Sequence, residues 1–314
     1  MMDAFPDEDI RLFKLLTDHP LAELGDLARR LGYDGKRADE AVRYEIKRFC
    51  ERYNCIERVQ ILQYERMGLT PFFVLSKTPI EQDSGVIRQY RMFGTSREYL
   101  TLCVTPDFYH TVSRYEVTFP NVKIFPPTNA IRLLQQDPSR ISFTDEWLFN
   151  LKEVMVDQEV GEIVGPHDAE SPLTPIPVTE DLLAQLGQVY LNDQPRRLYL
   201  KELDFVKAHP GFLAPYFDLN LPNMADYILI FRNMRNPRLF VGGFIGYFPL
   251  AELYLSPDTL ICRIKVPEFS FPKLNLSLFM HLREVCRPSL WMLLEDRRFF
   301  PLPALWEKGQ WKRA

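Results

Sequence analysis

The side chains able to do chemistry are few and scattered. The five histidines, His19, His110, His167, His209 and His281, lie far apart along 314 residues. None belongs to an HExxH helix, and no nucleophile elbow accompanies them, so the sequence assigns no catalytic residue. The five cysteines, Cys50, Cys55, Cys103, Cys262 and Cys286, are an odd number with no CxxC spacing and no neighbouring histidine. They read as reduced structural thiols, and no metal is expected. Gly242, Gly243 and Gly246 suggest a phosphate loop but lack the following Lys-Ser/Thr and sit in a strand-like run, so no cofactor is expected there. Cations remain. From Leu27 to Arg52 eight basic residues face five acidic ones, a local excess of three in a chain of net charge -4. That balance excludes a protein that coats nucleic acid indiscriminately and confines any DNA contact to one patch.

The elements that would position this patch are helical. Ile10, Phe13 and Leu16 form a stripe after an acidic start, predicting a helix over Asp7 to Asp18. Leu21, Leu24, Leu27, Ala28 and Leu31 repeat at helical spacing and stop at Gly32, predicting a second. A third runs from about Lys36 to Tyr53, with Ala38, Val42, Ile46 and Phe49 inward. Three helices with one short glycine-containing turn make a helix-turn-helix. Lys36, Arg37, Arg43, Tyr44, Lys47 and Arg48 fall on the outward face of the third helix, where base edges would be read. Arg29 and Arg30 would then lie near phosphate. A solvated helix face laced with ion pairs is the plain alternative.

Strands follow. Ile56, Val59 and Ile61, a turn at Arg66-Met67-Gly68 and the run Phe72 to Leu75 predict two strands, and VIRQYRMFGTSREYLTLCVTPDF predicts a hairpin around Gly94. A short helix over Asp107 to Glu116 and a strand over Asn121 to Phe125 complete the unit. This order, helix-turn-helix, wing strand, glycine turn and strand, resembles the Lrp/AsnC family of transcription regulators. One helix of the family's effector domain is missing, because only about ten residues containing Pro79 separate the first two sheet strands.

The second half repeats the pattern. FTDEWLFNLKEVMV resembles the opening helix, a Pro-rich insert follows, and helices are predicted over Thr179 to Tyr190 and Pro195 to His209. GFLAPYFDLNLPNMADYILIF then parallels Cys55 to Ser76, and the chain through to Pro267-Glu268-Phe269 parallels Val86 to Phe108, with the same helix absent. The second recognition helix would offer Arg196, Arg197, Lys201 and Lys207.

The expected fold is therefore α+β, with two winged helix-turn-helix modules, each followed by a small ferredoxin-like antiparallel sheet (truncated RAM/ACT-like). The expected domains are 1–66, 67–138, 139–222 and 223–314. The resemblance implies a sequence-specific DNA-binding regulator that performs no chemistry, with double-stranded DNA as partner. It also implies a homo-oligomer and an amino-acid effector at the loop Gly94, Thr95, Ser96 and Arg97. The acidic start and the lack of a long apolar run place it in the cytoplasm, away from membrane. Two alternatives stay open. Siroheme decarboxylases resemble Lrp-type proteins yet bind a tetrapyrrole, and here His110 and Arg114 with Arg88 and Arg91 would meet its propionates. A protein-interaction module that has lost DNA contact is the other.

Overall fold

The computed structural model describes residues 6–19, 22–81, 85–107, 118–127, 174–191, 211–219, 224–235, 250–267 and 286–312, with a few positions elsewhere. Helix α1 (Asp7–Asp18) opens with Asp7, Glu8 and Asp9 at the positive end of its dipole and buries Ile10, Leu12, Phe13 and Leu16. Helix α2 (Leu24–Leu31) begins later than its apolar spacing suggests, because Glu23 is extended (φ -66°, ψ 153°) and stands at the cap. It ends at Gly32, whose φ of 82° is the left-handed geometry that glycine adopts freely, and Tyr33 N donates to Ala28 O at 2.9 Å. Helix α3 (Ala38–Arg52) packs Val42 and Phe49 on that pair, with the Phe13 and Phe49 rings stacked at 5.3 Å between centroids. Asp9 is buried and accepts from Arg52 Nη1 at 2.5 Å and Tyr53 Oη at 2.6 Å, fixing the start of α1 to the end of α3. The Tyr53 phenol is pushed up to about 12, by burial first and then by its bond to Asp9.

Strand β1 (Cys55–Ile61) leads through a 3-10 turn (Tyr64–Met67) to β2 (Thr70–Ser76), β3 (Val86–Phe93) and β4 (Arg97–Thr105). Two short strands follow, β5 (Thr118–Phe119) and β6 (Lys123–Ile124), where one strand was expected. Helix α4 (Glu180–Leu191) is capped as expected, Leu182 N donating to Thr179 Oγ1 at 3.1 Å. Then come β7 (Leu213–Leu219), β8 (Met224–Arg232), β9 (Leu250–Ser256), β10 (Thr259–Pro267) and the twelve-residue β11 (Arg287–Arg298). A short helix α5 (Leu302–Leu305) and the hairpin β12 (Trp306–Glu307) and β13 (Gln310–Trp311) close the described chain.

The fold is α+β around one large antiparallel sheet of order β5-β2-β4-β3-β11-β8-β10-β9-β6. Strands β2 to β5 stand in the order four, one, three, two by chain sequence, and β8 to β11 stand in the same order. The units join where β11 pairs β3 and where β6 pairs β9. Only residues 120–122 separate β5 at one end of the order from β6 at the other, so the sheet curls until its ends meet. Val122 N donates to Pro71 O at 2.9 Å and Phe125 N to Leu253 O at 3.0 Å, anchoring both sides of that closure. Strand β1 pairs β7 along its length, from Cys55 opposite Leu219 to Ile61 opposite Leu213. The main apolar core draws on both units, with Phe73, Leu102, Ile228, Tyr254 and Ile261 in one cluster. Phe217 of β7 also enters the helical core, its ring 5.7 Å from that of Phe13.

The five cysteines are free; Cys50 is half-buried and the other four are buried. The expected helices at 107–116 and 195–209 and the FTDEWLFNLKEVMV helix fall outside the described residues, as do Gly242, Gly243 and Gly246. No helix among the described residues is long and apolar enough to cross a membrane.

Candidate functional site

Two surfaces gather polar side chains. The first is the exposed side of α3. Lys36, Arg37, Arg43, Tyr44 and Lys47 all face solvent there, and Tyr44 is 65% exposed, the largest fraction among the exposed large apolar side chains described. Arg48 does not join them. It is half-buried and turned back on α1, with Nη2 at 2.6 Å from Glu45 and 3.8 Å from both Glu8 and Asp9. Lys47 is held loosely by Glu51 at 3.6 Å. Arg29 pairs with Asp26, and Arg30 Nη1 meets His19 Nε2 at 3.0 Å. Asp39, Glu40 and Glu51 share the exposed side, so four cations there face three carboxylates.

The turn at Gly94 to Arg97 is a tight hairpin end, Gly94 N donating to Ser96 O at 3.1 Å and Ser96 Oγ to Glu98 Oε1 at 3.2 Å. Thr95, Ser96 and Arg97 are exposed. A Cβ on Gly94 would lie 2.9 Å from Trp291 Cδ1, so the glycine is required by the packing of β11 against the turn.

The second assembly lies inside the closed sheet. Arg88 on β3 has no exposed surface and makes two forked ion pairs. Its Nη1 and Nη2 reach Glu252 at 2.5 and 3.1 Å, and its Nε and Nη2 reach Asp296 at 2.7 and 2.6 Å. Arg263 on β10 donates to the same Glu252 at 2.5 Å and to Asp218 at 3.0 Å, and lies 3.0 Å from Asp226. Lys265 completes the group, 3.0 Å from Asp218 and 3.1 Å from Asp226. Tyr90 Oη and Tyr254 Oη lie 2.9 Å apart. Strands β3 and β9 occupy the same place in their four-strand units. Arg88 meets Glu252 and Tyr90 meets Tyr254, so equal steps along both strands bring like positions together.

Burial alone would raise the Glu252 and Asp218 carboxyls, but their arginine and lysine partners outweigh it and hold both below the ordinary range. Asp296 is held at about 2, burial again opposing and Arg88 dominating among the lowering influences. The Tyr90 and Tyr254 phenols are pushed far up by burial. The site can therefore keep fixed charges and neutral phenols in a low-dielectric interior.

The tetrapyrrole alternative set Arg88 and Arg91 against propionates, but both are paired within the protein. Arg88 is consumed by two carboxylates, and Arg91 is half-buried with Glu295 at 3.4 Å. The sequence missed this network because its members come from five strands, β3, β7, β8, β9 and β10, together with Asp296 on β11, a strand it did not predict. The one available signal was charged residues inside strand-like runs, as in LICRIKV and LAELYL. His110 and Arg114 lie outside the described residues, as do Arg196, Arg197, Lys201 and Lys207.

No family model and no curated protein matches the chain. Two solved structures are similar to it. They are the siroheme decarboxylase NirDL and the same enzyme in co-complex with an iron-uroporphyrin III analogue. Each is 12% identical, covers 92% of both chains and superposes with a TM-score of 0.48. The likeness is one of overall fold. Both similar structures are of an enzyme, whereas the sequence led to the expectation that no chemistry is performed.

Proposed function

We propose that the chain binds double-stranded DNA through the exposed side of α3, as an Lrp-like protein whose unit is duplicated within one polypeptide. The observation that carries this reading is the exposed group of Arg43 and Tyr44 with Lys47 one turn on, beside Lys36 and Arg37 at the helix start. Lys36, Arg37 and Arg43 make no ion pair among the described residues, so they are available to phosphate or base edges. The repeated strand order and the β1–β7 pairing support the duplication. On this reading Gly94 to Arg97 keeps its place as an effector loop at the rim of the sheet. The test is retention of fragmented genomic DNA across a salt series, with sequencing of what is retained. Enrichment of one motif, with affinity falling steeply as salt rises, is expected. No retention at low salt would overturn it.

A second reading is an enzyme acting on an iron tetrapyrrole, the ligand class named for the similar structures. Three cations and four carboxylates held inside the sheet favour it, because a regulator would need only an apolar core there and buried ionic clusters concentrate at functional sites. Titration with iron-uroporphyrin III, followed by its visible absorption, decides it. A saturable spectral shift supports the enzyme, and an unchanged spectrum removes it.

A further inference from the structure

Arginines gather where β8 stops and β11 begins. Between Phe231 and Glu252 the chain carries Arg232, Arg235 and Arg238 and no carboxylate, while Arg283 and Arg287 lead into β11. Arg232, the last residue of β8, stands directly opposite Arg287 in the register of the two strands. Like charges directly opposite each other on neighbouring strands are destabilising, so the fold itself gains nothing from this pair.

The remaining three arginines are brought to the same end of the sheet. The chain makes a helical turn just before β11, Cys286 N donating to Leu282 O at 2.9 Å, and Arg283 precedes Arg287 by that turn. Arg235 and Arg238 follow β8, where Asn233 turns the chain with a φ of 60° and Met234 N donates to Asp258 O at 2.9 Å. Met234 and Val241 then pack with Leu282, Cys286 and Phe231 in one apolar cluster, which holds the two arginine-bearing segments together. Arg232 is half-buried, its guanidinium 5.4 Å over the Phe119 ring, and the other four arginines are exposed. Asp258 and Glu284 are the carboxylates of these segments, which leaves an excess of three positive charges. Among the described residues none of the five arginines has an ion pair.

The planar guanidinium fork matches phosphate oxygens with two parallel hydrogen bonds, and arginine clusters are a recurring means of recognising phosphate groups. The exposed aromatic side chains described, Tyr44 and Phe93, stand on α3 and at the end of β3, so no ring is placed here to stack on the bases of a single strand. The cluster is also remote from α3. Met224, at the opposite end of β8, packs on the helical core, and the extended strand puts Arg232 roughly 26 Å from it.

We propose that Arg232, Arg235, Arg238, Arg283 and Arg287 form a binding site for a polyphosphate chain, free or carried by a nucleotide. Adjacent phosphates supply several negative charges over a short span, which this excess of cations calls for and a single carboxylate does not provide. The site is independent of the α3 reading and of the charged interior.

The full chain is titrated calorimetrically with sodium tripolyphosphate, ATP, citrate or sulfate at equal ionic strength and without divalent cation. Tripolyphosphate is expected to bind saturably and more tightly than citrate or sulfate. Arg235→Gln and Arg283→Gln alter exposed side chains, so the fold is kept, and each is expected to weaken that binding about tenfold, the loss of one charge-assisted pair. Arg297→Gln, at an exposed arginine further along β11, is expected to bind as the unaltered chain does. ATP binding more tightly than tripolyphosphate would support a nucleotide as the source of the phosphates, and equal binding would support the phosphate chain alone. Citrate or sulfate binding as tightly as tripolyphosphate would overturn the polyphosphate assignment. No saturable heat from tripolyphosphate, or binding unchanged in both Arg235→Gln and Arg283→Gln, would overturn the site.

Discussion

Arg88 shows how much a single side chain can be asked to hold. Its forks bind a carboxylate of each half of the second unit's sheet, Glu252 on β9 and Asp296 on β11, with no water-exposed surface. Arg88→Met removes the cation and leaves both carboxylates buried. Loss of one partner from a buried pair costs about 3–5 kcal/mol, so urea denaturation should show a fall of at least that size. Acid should act on the same group. Glu252, Asp218 and Asp296 are all held below their ordinary values of 4.5 and 3.8, so the folded chain binds fewer protons than the unfolded one in that range. Their contribution is therefore complete above about pH 4.5 and is lost as pH falls toward 2. Denaturation midpoints measured from pH 6 to pH 2.5 should fall most steeply below pH 4.5; a flat profile would mean the network adds no pH-dependent stability. On α3, Arg43→Ala should weaken DNA binding by about 1–3 kcal/mol. Arg48→Ala, already tied to α1, should leave DNA affinity nearly unchanged, as read by the same titration.

At the scale of elements, helices were the more legible part. Phe13, Leu16, Leu27, Val42 and Phe49 recur at helical spacing, and each proves buried in the helical core. Phe49→Ala there should cost about 3–5 kcal/mol in chemical denaturation, because the stacked ring of Phe13 would face a cavity. The paired strands of the first hairpin were also legible, Val86 to Phe93 and the strand ending at Thr105 matching closely. Strand β11 was not. RPSLWMLLEDRR mixes apolar and charged residues on both faces, since one side meets the charged interior and the other is partly open, and that erases the period of two. Gly94 was legible as a turn residue, but its reason was not, because Trp291 comes from nearly two hundred residues away. Gly94→Ala should therefore lower Tm measurably by pushing Trp291 aside; an unchanged Tm would mean the indole moves freely.

For the whole molecule, the sequence suggested two units in series, each with its own small sheet. In the structure they share one. The register of β3 with β11 and of β6 with β9 could not be read from either unit alone, because each strand meets its partner only after the chain has folded back. Nor could the charged interior be read, since Arg88 looks solvent-facing until Glu252 and Asp296 are brought over it. The alternation of signs along separate strands becomes a compensated cluster only at this scale.

The crossed joints between the units carry a practical consequence. Each half lends its last strands to the other: β11 lies on β3, and the segment carrying β6 lies on β9. Each half pairs its own four strands, but an edge of each is covered only by the other half, β3 by β11 and β9 by β6. Two polypeptides made by a single cut between β6 and α4, with no residue removed, should recognise each other as specifically as the subunits of a heterodimer. Co-expression with a tag on only one of them would recover both.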